Sequence, residues 1–428
     1  MKENYILSDS SNFNEIVLNS DIPVVVYFYS DDCLPCTTFS QIFDKTVSSI
    51  PETQTKLKFV KVFRPRNRGL SDSLNIKFSP TVMFFNGGKE VCTRLTGYIN
   101  YPEFRDAIEN IIDNSCSLRE RTTVRCDVLI IGAGPAGLTS AIYTSRSRLQ
   151  TVVIDQNLAG GQVATTFHIS NYPGTNGEVR GIDLMENMKK QAIDFGAQID
   201  EMQRILEINF TSNEKYIKTE HNDYYSKSVI IATGAEPRKL PVPEERDYRG
   251  RGIHYCATCD GALYIDATVL VIGGGISALE EATFLTRYAR KVIIVNRNNT
   301  FRVSGLSLNE TLKNPSIEVM YNTVVESVSG DNFLDTAVLK NTITNESKSM
   351  KVDGIFVYIG MVPNSELFKN FLDLSEYGYI LADEKLSTNI PGVYVAGDVR
   401  DKEIRQISTA VGDGTIAAIM SEKYISQN

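Results

Sequence analysis

The chain has 428 residues, 42% hydrophobic and 22% charged, a length that at roughly 100–200 residues per domain predicts two to four cores and a composition that excludes a fibrous or disordered chain. Lys and Arg number 44 against 52 acidic residues, giving a net charge of −8 with the two signs interleaved, so no nucleic-acid partner is expected. No apolar run reaches the roughly 18 residues of a membrane span, and the start MKENYILSDS lacks a basic, then apolar, export signal; the reading is a soluble, cytoplasmic chain with no membrane partner.

In chain order, residues 23–29 form an apolar run suited to a buried strand, and Cys33-Leu34-Pro35-Cys36 follows. Phe39, Ile42, Phe43, Val47 and Ile50 then recur at helical spacing, which places Cys33 at a helix N-terminus that Pro51 closes at its far end. Strands are predicted at 58–63 and 81–85, the second preceded by Pro80, a candidate cis-proline, and followed by the turn Asn86-Gly87-Gly88. A helix from about Tyr101 to Ile112 completes one α/β domain. The six basic residues Lys56, Lys58, Lys61, Arg64, Arg66 and Arg68 read as a solvated strand and loop, with a docking face for an acidic partner as the alternative. The polar stretch from Asp113 to Val124 reads as a linker.

Beyond it a strand, glycine turn and helix occur twice. The first is Asp127–Ile131, Gly132-Ala133-Gly134-Pro135-Ala136-Gly137, a helix to about Ser145 and a strand Thr151–Ile154; the second is Thr268–Ile272, Gly273-Gly274-Gly275-Ile276-Ser277-Ala278, a helix to about Tyr288 and a strand Val292–Val295. Such turns bring backbone N–H groups onto a pyrophosphate at the positive end of a helix, so two turns imply two dinucleotides. Asp155, 23 residues after Gly132, is placed to bond a ribose diol. The second unit has no acid there. Its loop reads Asn296-Arg297-Asn298-Asn299-Thr300-Phe301-Arg302, where Arg297 and Arg302 suit a 2′-phosphate and favour NADP(H) over NAD(H), unless they merely line a solvated loop.

The seven cysteines include two Cys-x-x-Cys pairs, Cys33/Cys36 and Cys256/Cys259, a pattern of redox chemistry in a reducing compartment. With only three histidines and about 220 residues between the pairs, against a usual gap of roughly 15–20, a zinc site is not expected. Cys256-Ala257-Thr258-Cys259-Asp260 precedes the second glycine turn. Its disulfide is one that a reduced flavin can attack, and Asp260 can move the proton that the thiols release or take up. At Cys33 the helix N-terminus favours the thiolate. Cys92, Cys116 and Cys126 have no partner at this spacing and read as small packed residues.

Together these motifs resemble two known families joined end to end. Residues 123–428 are similar to low-molecular-weight thioredoxin reductase through 132–137, Gly160-Gly161-Gln162, Asn171-Tyr172-Pro173-Gly174, Ala232-Thr233-Gly234, 256–260, 273–278, Gly397-Asp398 and Arg405-Gln406. Residues 1–112 resemble thioredoxin through the CxPC site, Lys61 and Ser79-Pro80-Thr81. The plan is also similar to the alkyl hydroperoxide reductase flavoprotein, which has two thioredoxin folds in front.

The resemblance implies that Gly132, Gly134, Pro135, Ala136, Gly137, Asp155, Gly161, Gln162, Asn171, Gly397, Asp398, Arg405 and Gln406 hold FAD. It implies that Gly273, Gly275, Ser277, Ala278 and Glu281 face NADPH, joined by Arg297 and Arg302, although Asn296 and Asn298 replace a histidine and an arginine of the family's loop. In front, Asp32 replaces the usual tryptophan and Tyr27 the usual buried acid.

The expected fold is α/β: a thioredoxin-like domain (1–112), a linker (113–122), then two doubly wound domains, FAD-binding (123–237 and 363–428) and NAD(P)-binding with the dithiol (238–362). The expected activity is an FAD-dependent thioredoxin-disulfide reductase carrying its own thioredoxin-like domain. Electrons would run from NADPH through FAD and Cys256/Cys259 to Cys33/Cys36, then to a downstream disulfide protein or peroxidase, in a homodimer. A flavin-dependent dithiol oxidase using oxygen and a ferredoxin-fed reductase are the alternatives.

Overall fold

The computed structural model of the chain describes residues 5–427 apart from 32, 50–56, 112–121, 167–168, 170, 176, 178, 212–213 and 302–305. Asp32, Ile50, Pro51, Lys56, Cys116, His168, Arg302 and the expected linker up to residue 121 therefore lie outside the described residues. The chain divides into two compact units, residues 1–236 with 363–428, and residues 237–362.

The first unit opens on a sheet whose strand order is Ile6–Ser8, Lys58–Phe63, Val24–Tyr29, Thr81–Asn86, Lys89–Glu90. Val24–Tyr29 runs parallel to Lys58–Phe63 and antiparallel to Thr81–Asn86. It reads as an unbroken apolar run because both faces are covered: Val25 and Tyr27 pack with Phe39, Phe43 and Phe104 on one side, Val24, Val26 and Phe28 with Phe13 and Val60 on the other. Each fully buried aromatic or aliphatic side chain here contributes about 1.5–3 kcal/mol. The helix Leu34–Ser49 buries Phe39, Ile42, Phe43 and Val47 along one stripe. The helix Tyr101–Glu109, three residues shorter than expected, starts where the Asn100 side chain accepts from the Glu103 N–H at 2.9 Å.

Two basic residues depart from the solvated reading. Lys61 is 7% exposed, with Nζ 2.5 Å from Asp44 Oδ1 and over the Tyr5 ring, and Lys58 donates to the Ile16 carbonyl and Ser20 Oγ. Their long stems pack while the ammonium groups find partners, which a count of charges does not reveal.

The rest of this unit is a seven-stranded sheet in the order Ile205–Asn209, Lys215–Thr219, Asn222–Ile231, Thr122–Ile131, Thr151–Ile154, Gln198–Asp200, with Val393–Val395 also paired to Asn222–Ile231. Thr122 pairs with Asn222, so the strand takes up the last residues of the expected linker: once register is imposed by the buried half, Val128 to Ile131, polar residues can extend the ladder. The helices Pro135–Arg146 and Ile407–Gln427 pack together, the Ser140 hydroxyl donating to the Gly414 carbonyl.

The front sheet does not hang free of this second one. Met202, at φ +60° and buried, belongs to the apolar cluster of Phe43, Phe59 and Phe104. Around it the Tyr101 N–H donates to Asn157 Oδ1, Arg204 pairs with Asp106 at 2.8 Å, and Glu201 receives Lys45 from the front and Lys189 from behind.

The second unit is a parallel sheet in the order Ile253–His254, Gly354–Val357, Thr268–Ile272, Lys291–Val295, Ile317–Met320, accompanied by an antiparallel sheet of Thr323–Gly330, Leu334–Asn341 and Ser347–Lys351. No helix among the described residues is long and apolar enough to cross a membrane.

Candidate active site

In the first glycine turn Gly132 has φ +107°, and a Cβ there would lie 2.3 Å from the Ala232 carbonyl oxygen; a Cβ on Gly137 would lie 1.8 Å from the Gly132 oxygen. These two glycines are demanded by the protein itself. Gly134 is different: its Cβ would meet nothing nearer than Gly161 Cα at 4.0 Å, so Gly134 and Gly161 face each other across an open slot at the start of the helix that Pro135 and Ala136 begin. Such a slot at a helix N-terminus has the room and the positive dipole that a pyrophosphate requires. Asp155 closes it, accepting from the Ala133 and Asn157 N–H groups at 2.7 Å, and burial pushes its carboxyl above the ordinary range.

At the same C-terminal edge of the sheet, where a Cβ on Gly397 would lie 2.9 Å from the Ala136 Cβ, Asp413 accepts from the Gly397 N–H at 3.0 Å and holds Arg400 and Lys402. Burial raises the Asp398 carboxyl, opposed by Lys402 at 3.2 Å and by Arg405. Arg405 stacks on Tyr379, 4.2 Å from the ring centroid, while its Nε is buried without a hydrogen bond. Asn171 donates to Gln406 at 3.3 Å across 235 residues of sequence, and Gln162 donates to the Ala235 carbonyl. An open slot at the first glycine turn and an unanswered guanidinium N–H on Arg405 fit an anionic cofactor with a polar ring, as FAD is.

The second turn repeats the plan with changed detail. Gly273 has φ +155° and its Cβ would lie 2.4 Å from the Tyr358 oxygen; Gly275 is open, with nothing within 4 Å. Ala278 is buried against Gly273, Ser277 is exposed, and the buried Glu281 Oε2 has no hydrogen bond. Burial raises the Glu281 carboxyl. Asn296 is 1% exposed; its Oδ1 accepts from Asn298 N–H and its Nδ2 donates to the Thr300 carbonyl, so it shapes the loop on which Arg297 stands exposed.

Of the two Cys-x-x-Cys sites, the front one is in the dithiol form. Cys33 accepts from the Cys36 N–H at 3.3 Å and donates to the Ser79 carbonyl at 3.3 Å, just before the cis Ser79–Pro80 bond. Cys36 is 2% exposed. Its hydrogen bond with Cys33, then burial, push its thiol up, leaving Cys33 to attack first. Tyr27, fully buried, donates to the Cys36 carbonyl at 3.0 Å and contacts Ser40 Oγ at 3.0 Å. In the second unit Cys256 is disulfide-bonded and stands before the helical turn Ala257–Asp260; the Cys259 side chain lies outside the described atoms. The Ala257 N–H donates to Tyr358 Oη at 2.6 Å, and Asp260 Oδ2 lies 3.0 Å from His254 Nδ1. In the sequence His254 is one of three histidines, and its six-residue spacing to Asp260 is the only local sign of this pairing.

Residues 126–414 match the pyridine nucleotide-disulphide oxidoreductase family and residues 4–110 match thioredoxin. The thioredoxin reductase of Peptoclostridium acidaminophilum is 42% identical over 308 residues, 71% of this chain and 98% of that protein. The chain belongs to the thioredoxin reductase family. A 34.2 kDa protein in the rubredoxin operon of Clostridium pasteurianum is 46% identical over 299 residues, 70% of this chain and 97% of that one. The crystal structure of thioredoxin reductase from Streptococcus pyogenes superposes with a TM-score of 0.65 at 38% identity, covering 71% of this chain and 99% of that one. This reductase therefore carries a thioredoxin domain ahead of its two Rossmann-type domains, as expected from the motifs, and is an oxidoreductase of a family that uses FAD and NADPH.

Proposed function

We propose that this reductase uses its own front domain as its first disulfide substrate: electrons from NADPH reach Cys256/Cys259, pass to Cys33/Cys36, and leave for a downstream disulfide protein or peroxidase. The observation that carries the reading is the presence in one chain of two Cys-x-x-Cys sites, one beside the second glycine turn with an acid at its end, the other with a buried, proton-retaining Cys36 behind Cys33. FAD, when bound, supplies the two-electron carrier between a nicotinamide and a disulfide.

This chain's residues do the rest. Gly132, Gly134, Gly137, Gly161 and Asp155 seat the pyrophosphate and ribose; Asn171, Gln162, Asp398, Arg405 and Gln406 orient the flavin end. Gly273, Gly275, Ser277, Ala278 and Glu281 seat the nicotinamide nucleotide, with Arg297 and Arg302 for its 2′-phosphate. Asp260 moves the thiol proton. A domain division at 113–122, 238 and 362, a cytoplasmic site and a homodimer complete the proposal.

Anaerobic titration of the protein with NADPH and with NADH, followed by flavin bleaching, tests it. Two arginines without a competing carboxylate predict a kcat/KM preference for NADPH of about 10–100-fold, or ~1–3 kcal/mol. A preference for NADH, or no bleaching with either, contradicts the reading.

A further inference from the structure

The second unit buries one imidazole that the reaction as described does not use. His254 lies on the short strand Ile253–His254, paired with Ile355 and Phe356, and its side chain is 5% exposed. Its ring stacks on Phe356 at 5.3 Å and 27° and meets Tyr264 edge-on at 5.4 Å. Both ring nitrogens are engaged: Nδ1 lies 3.0 Å from Asp260 Oδ2, and Nε2 lies 2.7 Å from the Tyr264 hydroxyl. Tyr264 is held in place by close packing, since a Cβ on Gly354 would lie 2.4 Å from its ring.

We propose that His254 is the positioning residue of Asp260, an imidazole locked in the Nδ1–H tautomer by Tyr264 so that it donates to the carboxylate beside the Cys256/Cys259 dithiol. A neutral imidazole has one donor and one acceptor, and the nitrogen facing a phenol that keeps its proton must be the acceptor. Burial, with Asp260 and Asp353 nearby, raises the Tyr264 phenol, so its O–H stays a donor. Nδ1 then carries the ring proton and points it at Oδ2. Among the described residues Tyr358 also faces Asp260; its hydroxyl, raised by burial and by Glu281, accepts from the Ala257 N–H.

This assignment rests on the reading of Asp260 as the proton carrier for the dithiol step. In the complete exchange one S–S bond forms at Cys256/Cys259 as the Cys33–Cys36 bond breaks, and two electrons and two protons change sites. Asp260, as carboxylate, takes a proton from the attacking thiol and returns it to a leaving sulfur; the second proton exchanges with solvent. His254 itself transfers no proton in this scheme. Its donated hydrogen bond, 3.0 Å from Nδ1 to Oδ2, fixes the orientation of the Asp260 carboxylate.

The test uses the full chain with its flavin. In His254→Phe the ascending limb of the pH profile for Cys33/Cys36 reduction should move up by about one pH unit while flavin bleaching by NADPH keeps its rate, and His254→Asn, which retains a donor and an acceptor, should move the limb back. Independently of activity, 15N-histidine NMR of the wild type, with only three histidines to assign, should show Nδ1 protonated and Nε2 bare, and Tyr264→Phe should shift the Nε2 resonance. An unmoved limb in a folded His254→Phe, equal losses in both half-reactions, or an Nε2–H tautomer in the wild type overturns the proposal. Should the wild type bleach with NADPH yet never reduce Cys33/Cys36, the relay itself fails; should the relay run with the His254→Phe limb unmoved, only the role of His254 does.

Discussion

In the front domain Cys36 sits under Tyr27, which donates to its carbonyl, and beside Ser30 Oγ at 3.9 Å, while Lys61 pairs with Asp44 and lies over the Tyr5 ring. In the second unit Cys256 opens a single helical turn that ends on Asp260, itself tied to His254 and through it to Tyr264. On the proposed reading the front dithiol works with its own two sulfurs, whereas the second has beside it a half-buried acid with a partner of its own. The difference teaches a division of labour. A carrier that meets many disulfides needs a self-contained thiol pair, whereas a relay point that faces two fixed partners can keep a dedicated proton carrier.

The harshest break is at the sulfurs. Cys256→Ser with Cys259→Ser should leave flavin bleaching by NADPH intact and abolish reduction of Cys33/Cys36, read by alkylation of the front thiols. Cys33→Ser should instead stop only the reduction of downstream disulfides. If the double variant reduces the front domain at the normal rate, the two sites are not in series.

Asp260→Asn should slow the transfer from Cys256/Cys259 by about 10²–10⁴-fold without removing it, the usual contribution of a positioned acid or base. Single-turnover stopped flow, with flavin reduction as the internal control, reads this directly.

Tyr27→Phe sharpens the same contrast from the other side. It removes a neutral, buried hydrogen bond to the Cys36 carbonyl and Ser40, worth about 0.5–1.5 kcal/mol, and should lower the melting temperature of the front domain while changing the exchange rate of Cys33 by less than about tenfold. A loss as large as that from Asp260→Asn would make Tyr27 the acid's functional replacement and erase the distinction.

What could be read before the structure follows from how local each constraint is. Gly132, Gly137 and Gly273 are legible because a strand-to-helix turn over a neighbouring carbonyl leaves no room for a side chain, and the apolar runs at 24–29, 128–131 and 268–272 are legible because sheets covered on both faces exclude polar residues. Long-range partners are not. Nothing near Met202 or Glu201 in the sequence announces that one enters the front domain's core and the other collects Lys45 and Lys189; the Lys45–Glu201 pair alone spans 156 residues, and such pairings depend on tertiary docking. Asp413, which holds the Gly397 amide, Arg400 and Lys402 together, is hidden in the sequence for the same reason, since its partners come from outside its own helix. The polar Thr122 and Thr123 join a strand because their neighbours set its register.

The central claim is that electrons reach the front dithiol within the assembled protein. The direct measurement is an anaerobic time course after mixing the oxidised full chain with NADPH, trapping thiols by alkylation and following Cys33 and Cys36 by mass spectrometry at a series of protein dilutions. Because tethering holds the carrier at an effective concentration of about millimolar, both cysteines should become alkylatable at one rate across a hundredfold dilution. Front cysteines that stay oxidised while the flavin bleaches, or a rate that falls in proportion to dilution, would contradict the account.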